Sequence, residues 1–349
     1  MDKIYLKKLG ELEGLSDSIP NTRMLALAKI KALIALNMRY ERIQLDRNLA
    51  EHPYVLIESF VDHAISDLKA WQELAFIEGD ETEFPVDQRS LEGMHHDLFQ
   101  MLWTKFDIDG YQERIKRFEH RLRVNGLEGD VLKGKRVIDF GCGHGNFDHS
   151  FLNCGAAFVQ GIDYGEESIA YARAAKEELG IQDDRLLFKV ASAYDTGEQD
   201  DSYDIAVQNG VFHHLDDEDS AYRELHRVLK PGGTCWFYTD GEGGISYDLW
   251  DASRRALTNV PSSLISETTA FLGVNEGKQY HIGDGLNAIY RHTSWEEITQ
   301  RLTKIGFGNF KRLIGGFETD MDLDVIERDR WGREKFGEGD IRILCQKVS

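Results

Sequence analysis

Apolar residues after Pro53 fall at Leu56, Phe60, Ala64, Leu68, Trp71 and Ala75, in steps of four, four, four, three and four. That period lines one face of a helix, because side chains three and four apart lie one above the other. Upstream, residues 22–49 form a second long helical stretch, rich in Ala, Leu, Ile, Lys and Arg and bounded by Pro20 and Pro53. The acidic run 79–85 breaks the period and reads as a loop. Helical spacing returns at Tyr111, Ile115, Phe118 and Leu122 and stops before Gly126. The pattern predicts an all-helical domain over 1–130.

At Lys133 the pattern changes to short apolar runs separated by helical stretches. Strands are expected at 136–140, 159–162, 186–190, 203–208 and 234–238, with helices starting at 146 and spanning 166–179 and 216–229. Strands alternating with helices of this length build βαβ units and a parallel sheet. The alternation stops over 241–291, a glycine- and aromatic-rich stretch too long for an ordinary connection, which predicts a lid. Thr293-Ser294-Trp295-Glu296 then fits a capping box, opening a helix with Ile298, Leu302 and Ile305 inward and Gly306 at its end. Two last strands, near 310–314 and 341–346, flank an acidic insertion at 315–340. The expected class is α/β, with a seven-stranded, mostly parallel sheet over 131–349 behind the N-terminal helical domain.

Between the first strand and its helix stand Gly141, Gly143 and Gly145. Glycines there let a ligand approach bare backbone at a helix N-terminus. The dinucleotide fingerprint G-x-G-x-x-G would need a glycine at 146, where Asn146 stands. Eighteen residues after Gly145, at the end of the second strand, comes Asp163. A carboxylate there accepts hydrogen bonds from vicinal ribose hydroxyls, or it caps the helix that follows. Both readings stand at this point.

The run Asp139 to Gly145, then Asp163-Tyr164, Asp204, Phe212-His213-His214-Leu215, and Glu224 to Gly233 resembles a class I S-adenosylmethionine-dependent methyltransferase of the small-molecule type. The similarity covers about 133–238 well, the last helix and strands less specifically, and leaves 1–130 and both insertions outside. It implies a Rossmann-like fold and S-adenosylmethionine as cofactor. By the same resemblance, Asp139 lies near the methionine amino group, and Gly141, Cys142 and Gly143 offer backbone to the cofactor. Asp163 holds the ribose, and Tyr164 packs on the adenine. The acidic residue often found after the third strand is replaced here by Ser192, within Ala191-Ser192-Ala193, and Tyr194 supplements the adenine contact. Gln208-Asn209-Gly210, with Asn209 at the strand end, lies beneath the transferred methyl.

Methyl transfer from a sulfonium is an in-line displacement, so alignment dominates and a hydroxyl acceptor needs a base nearby. His213 and His214 follow the fourth strand, at the edge where open α/β sheets bind ligands, and are the catalytic candidates. The alternative is that one packs on the cofactor while the other caps the following acidic helix. His95, His96, His281 and His292 are further histidines that read as ordinary polar residues. No metal is expected, since adjacent histidines on one turn seldom converge on one ion.

Charge narrows the partner. With 41 basic and 61 acidic residues the net charge is −20, which disfavours nucleic acid and anionic membranes. No run of about 18 apolar residues and no secretory leader is present, and the four cysteines form no C-x-x-C pair. The expected location is the cytoplasm and the expected partner a small-molecule methyl acceptor, with a homodimer through the N-terminal helices also open. Two alternatives remain: a non-catalytic S-adenosylmethionine-binding protein whose helical domain serves a protein partner, and a nicotinamide-dependent oxidoreductase, which the glycine spacing disfavours.

Overall fold

The strands β1 (Arg136–Phe140), β2 (Phe158–Asp163), β3 (Leu186–Val190), β4 (Tyr203–Asn209), β5 (Leu229–Asp240), β6 (Phe307–Arg312) and β7 (Asp340–Lys347) form one sheet in the computed structural model. Their order is β3-β2-β1-β4-β5-β7-β6, with β7 antiparallel to both neighbours and the rest parallel. The structure describes residues 3–78, 108–258, 260–274, 279, 282 and 290–348. The helices used below are α1 (Ile4–Ser18), α2 (Arg23–Gln44), α3 (Pro53–Glu78), α4 (Ile108–Val124), α5 (Asn146–Asn153), α6 (Glu166–Glu178), α7 (Glu218–Val228), α8 (Gly244–Ala256), α9 (Ser262–Phe271), α10 (Trp295–Ile305) and α11 (Gly332–Phe336).

Alternation along the central strands feeds two cores. Val137, Ile205, Val207 and Trp236 join Phe147, Phe151 and Leu152 of α5 on one face. Ile138, Phe140, Ala206, Cys235 and Phe237 join Leu225 of α7 and Ile298 of α10 on the other. A parallel sheet buried on both faces requires apolar residues in both phases, which these strands supply. The cap of α10 forms one residue later than the sequence pattern suggests: Ser294 Oγ accepts from the Glu297 amide at 3.1 Å. Gly306 closes the same helix at φ +117°.

The chain divides into two compact units: Met1–Leu98 with Glu242–Ala288 and Ile326–Gly337, and Phe99–Gly241 with Ile289–Val325 and Glu338–Ser349. This differs from the expected boundary at 130 in two ways. Helix α4 sides with the sheet, because its Tyr111 and Ser150 of α5 tie the two helices together: the Tyr111 hydroxyl donates to His144 O at 2.7 Å and Ser150 Oγ to Ile115 O at 3.0 Å. Within the segment expected as an irregular lid, α8 and α9 are helices, and α8 shares a core with the N-terminal helices. Ile245, Leu249, Ala252 and Ala256 pack in one cluster with Leu33, Ile34, Ile57, Val61 and Leu68. Their spacing of four, three and four is a helical stripe, which the flanking glycines and aromatics disguise. Trp250 also packs against this core. In α11, Lys335 is fully buried, paired with Asp329 at 2.8 Å, while its carbonyl accepts from the Tyr40 hydroxyl at 2.8 Å. No helix among the described residues is long and apolar enough to cross a membrane.

Candidate active site

The turn from β1 into α5 is built on left-handed backbone, with φ of +72° at Gly141, +54° at Gly143 and +80° at Gly145. At Gly145 a Cβ would lie 2.3 Å from the Phe188 ring, and at Gly141 2.6 Å from the Val211 side chain. At Gly143 a Cβ would meet nothing within 4 Å. Two of the glycines are therefore enforced by close packing, and the third leaves an open face of backbone.

The amides of this turn are already engaged. Gly141 and Cys142 donate to Ile162 O at 2.8 and 2.9 Å, and Gly143 donates to Asp163 Oδ2 at 2.8 Å. The other oxygen of Asp163 accepts from the amide of Gly165, the N-cap residue of α6, at 2.8 Å. Asp163 thus joins the glycine turn to the start of the next helix. Tyr164, beside it, is 72% exposed. The ends of the neighbouring strands close around this point: Ala191 N donates to Asp163 O at 2.9 Å, and Gly141 abuts Val211 beyond β4.

Several of the expected contact residues also hold local structure. Ser192 Oγ accepts from the Tyr194 amide at 3.1 Å, within a turn that bridges Ser192 to Asp195, and Ala193 lies half-buried between them. The Tyr194 hydroxyl accepts from the Asp217 amide at 3.4 Å. Asn209 Oδ1 accepts from Trp236 Nε1 at 3.2 Å. Gln208 is fully buried and pins the turn after β4: its Nε2 donates to Tyr238 O at 2.6 Å and its Oε1 accepts from the Val211 amide at 2.9 Å.

That turn presents His213 and His214. His213 is only 2% exposed, with Nδ1 3.3 Å from Thr239 Oγ1 and Nε2 3.8 Å from Asp240 Oδ2. Asp240 in turn accepts from the Tyr238 hydroxyl at 3.0 Å. The two imidazole rings are 4.0 Å apart, and Tyr290 sits 5.5 Å from His213 and 4.5 Å from His214. His292 joins the group through Tyr290 at 6.0 Å. Neither His213 nor His214 caps the following helix, since the Asp217 side chain does so by accepting from Ser220 N at 3.1 Å. His95, His96 and His281 lie outside the described residues. Among the described residues no group of three or more His, Cys, Asp or Glu is placed to hold a metal ion.

Beneath the glycine turn, Asp139 meets Asp148, which the sequence reading passed over. Asp139 stands in phase with Val137, so it faces α5, and its partner across to β2 is Gly161. Asp148, in the first turn of α5, comes down onto the same place: a Cβ at Gly161 would lie 2.7 Å from its Oδ1. Burial, then the neighbouring Asp148 and Asp163, hold the Asp139 carboxyl well above the usual carboxylate range, and burial pushes Asp148 up to about 8. Burial likewise drives His144 and His149 down to about 4 and the Cys142 thiol up. An aspartate at a helix N-terminus is ordinary by sequence, because it suits the helix dipole. Nothing local marked this one as buried.

Residues 132–277 match the family model described as a methyltransferase domain. A ubiquinone biosynthesis O-methyltransferase of Pseudomonas putida is 37% identical over 130 residues, which are 37% of this chain and 54% of that protein. Its namesake in Neisseria meningitidis is 32% identical over 128 residues, 36% of this chain and 53% of that one. The chain therefore spans about half the length of the curated relatives it matches. Among solved structures, an S-adenosylmethionine-dependent methyltransferase from Mesorhizobium loti is 19% identical, with a TM-score of 0.41 covering 65% of this chain and 97% of that one.

Proposed function

We propose that this chain, whose residues 132–277 match a methyltransferase-domain model, is a class I S-adenosylmethionine-dependent methyltransferase that transfers a methyl group to a hydroxyl of a small metabolite. The observation that carries this reading is the Asp163 carboxylate drawn onto Gly143 and Gly165 beside the open Gly143 backbone. A nucleoside fits such a place: the Asp163 carboxylate suits ribose hydroxyls, exposed Tyr164 offers a ring face to adenine, and Asp139 offers negative charge to an ammonium. Bound there, S-adenosylmethionine supplies a methyl group made electrophilic by its sulfonium.

The chain's own residues then have to hold the acceptor in line and take its proton. His213 suits the second task, with an imidazole fixed between Thr239 and Asp240, and Asp240 itself fixed by Tyr238. The rings of His214 and Tyr290 pack beside it. A hydroxyl acceptor is favoured because such an acceptor needs the base that this cluster provides, and because the matched relatives carry the name O-methyltransferase. The net charge of −20 supports a metabolite rather than nucleic acid as substrate, and the reduced-thiol pattern supports the cytoplasm. The helical unit is assigned to capping the acceptor or to pairing two copies of the chain.

The test is calorimetric titration with S-adenosylmethionine, S-adenosylhomocysteine and NAD, followed by turnover with small phenols and alcohols. Binding of the first two without NAD is expected. His213→Asn is expected to lower kcat by about 100- to 10,000-fold, the usual worth of a general base, with cofactor affinity unchanged. Failure of folded protein to bind either sulfur compound sinks the reading.

A further inference from the structure

On the face of the sheet covered by α5, two buried carboxyl groups meet. Asp139 is 2% exposed and Asp148 fully buried. Among the described residues, Oδ1 of Asp139 and both oxygens of Asp148 have no hydrogen-bond partner. The two side chains converge on Gly161, which is the β2 partner of Asp139 and whose Cβ, if it had one, would lie 2.7 Å from Asp148 Oδ1. Gly161 is what makes room, since any side chain there would strike Asp148.

Two ionised carboxylates cannot share such a place, because burial and mutual repulsion both oppose the second charge. One proton between the pair resolves the conflict. The groups around it bring no relief: Asp163 at the end of β2 and the Cys142 thiol add repulsion, Tyr111 of α4 gives its hydroxyl to His144 O, and β3 and β4 contribute Phe188 and Val207. His144 and His149 stay neutral over most of the pH range.

A buried carboxyl with no donor is costly, and a serine or alanine would fill the start of α5 without that cost. The cost is offset if a cation arrives from outside. We propose that Asp139 and Asp148 form a proton-sharing pair at the amino-acid end of the cofactor site, and that docking of the cofactor's α-ammonium group expels the shared proton. The identity of the cation rests on the methyltransferase reading above. In the step, the O–H bond of the protonated carboxyl breaks, its electron pair stays on oxygen, and the proton passes to solvent. The pair goes from one negative charge to two, against the single positive charge of the ammonium, which keeps its own protons.

The experiment is titration of the full chain with S-adenosylhomocysteine in buffers of different ionisation enthalpy. Release of close to one proton per site is expected at pH 7, with affinity rising about tenfold per pH unit from pH 6 and levelling above about pH 8. 5′-Methylthioadenosine, which lacks the amino-acid end, should bind with no release. Asp148→Asn keeps the shape and puts an amide N–H donor beside Asp139 in place of the shared proton, so it should bind S-adenosylhomocysteine with little proton release and a flattened pH profile. Binding by the unaltered chain with no proton exchange overturns the proposal even if the variant fails to fold. Release that persists in folded Asp148→Asn, or that also accompanies 5′-methylthioadenosine, overturns it too. Absence of any binding by either sulfur nucleoside at any pH instead removes the methyltransferase reading on which the proposal stands.

Discussion

Asp163 and Asp139 sit at the ends of adjacent parallel strands, within reach of the same glycine turn, and their surroundings are opposite. Asp163 has a backbone amide on each oxygen, from Gly143 and from Gly165. Asp139 and its neighbour Asp148 are buried, and among the described residues Oδ1 of Asp139 and both oxygens of Asp148 have no hydrogen-bond partner. The difference comes from the turn. Left-handed Gly143 gives its amide to Asp163 at the rim, while the floor brings Asp139 and Asp148 together at Gly161. The rim is prepared to hold a negative charge, and the floor is prepared to hold a proton. One residue type does two jobs according to where the backbone N–H groups point.

The largest effect should come from emptying the rim. Asp163→Ala removes two charge-assisted backbone hydrogen bonds, each worth about 1.5–3 kcal/mol. Because the carboxylate is only half-buried, a stability loss of about 3 kcal/mol is expected in chemical denaturation. Cofactor affinity should weaken by about 1.5–3 kcal/mol as well. A folded variant with unchanged stability would mean the rim does not depend on Asp163, and the contrast with the floor would collapse.

The floor should show itself in the pH dependence of the ligand-free protein. His144 and His149 have their folded pKa lowered to about 4, below the ordinary value near 6.5. Between those values the unfolded chain takes up protons that the folded chain refuses, so this stability is full above about pH 6.5 and is lost as pH falls. Asp148 is shifted the other way, from 3.8 up to about 8. Its contribution is full below about pH 4 and is lost as pH rises towards 8, because the folded chain keeps a proton that the unfolded chain gives up. Two protons set the acid limb and one opposes it, so these groups place a maximum near pH 6.5, with limbs of about 1.4 kcal/mol per pH unit. Urea denaturation at several pH values checks the shape. Asp148→Asn should flatten the alkaline limb, and His149→Gln should flatten the acid one. An alkaline limb that survives Asp148→Asn would assign the proton to another group.

How much of this could be read from the chain alone follows from how local each feature is. The glycine turn, Asp163 and the strand–helix alternation are contiguous patterns, and the sheet forms where they indicate. Helix α3 is equally plain, although the stripe that is buried runs through Ile57, Val61, Ala64 and Leu68, one residue on from Leu56 and Phe60. The membership of α8 was not legible, because Leu249 and Ala252 find their partners in Leu33 and Ile57, some two hundred residues away. Gln208 read as a ligand-facing residue, but the need of the turn after β4 for an acceptor claims it. Asp148 was hidden most completely. Its pairing depends on Gly161 of another strand, and its position is one that an exposed aspartate would also favour.

The smallest effect gives the finest comparison, because it separates the open part of the turn from its packed part. Gly143 and Gly145 share a left-handed backbone, so an alanine at either costs about 1–2 kcal/mol from conformation alone. At Gly145 the new methyl would also run into Phe188, adding about 1–3 kcal/mol of overpacking. At Gly143 it meets nothing within 4 Å in the ligand-free chain. Gly143→Ala should therefore lose only the conformational part of its stability, yet bind S-adenosylhomocysteine more weakly, because the methyl projects where the cofactor would approach the backbone. Gly145→Ala should lose more stability, and its remaining folded fraction should bind with less change in affinity. If Gly143→Ala binds as tightly as the unaltered chain, the open face at Gly143 is solvent-filled space and the cofactor passes elsewhere along the rim.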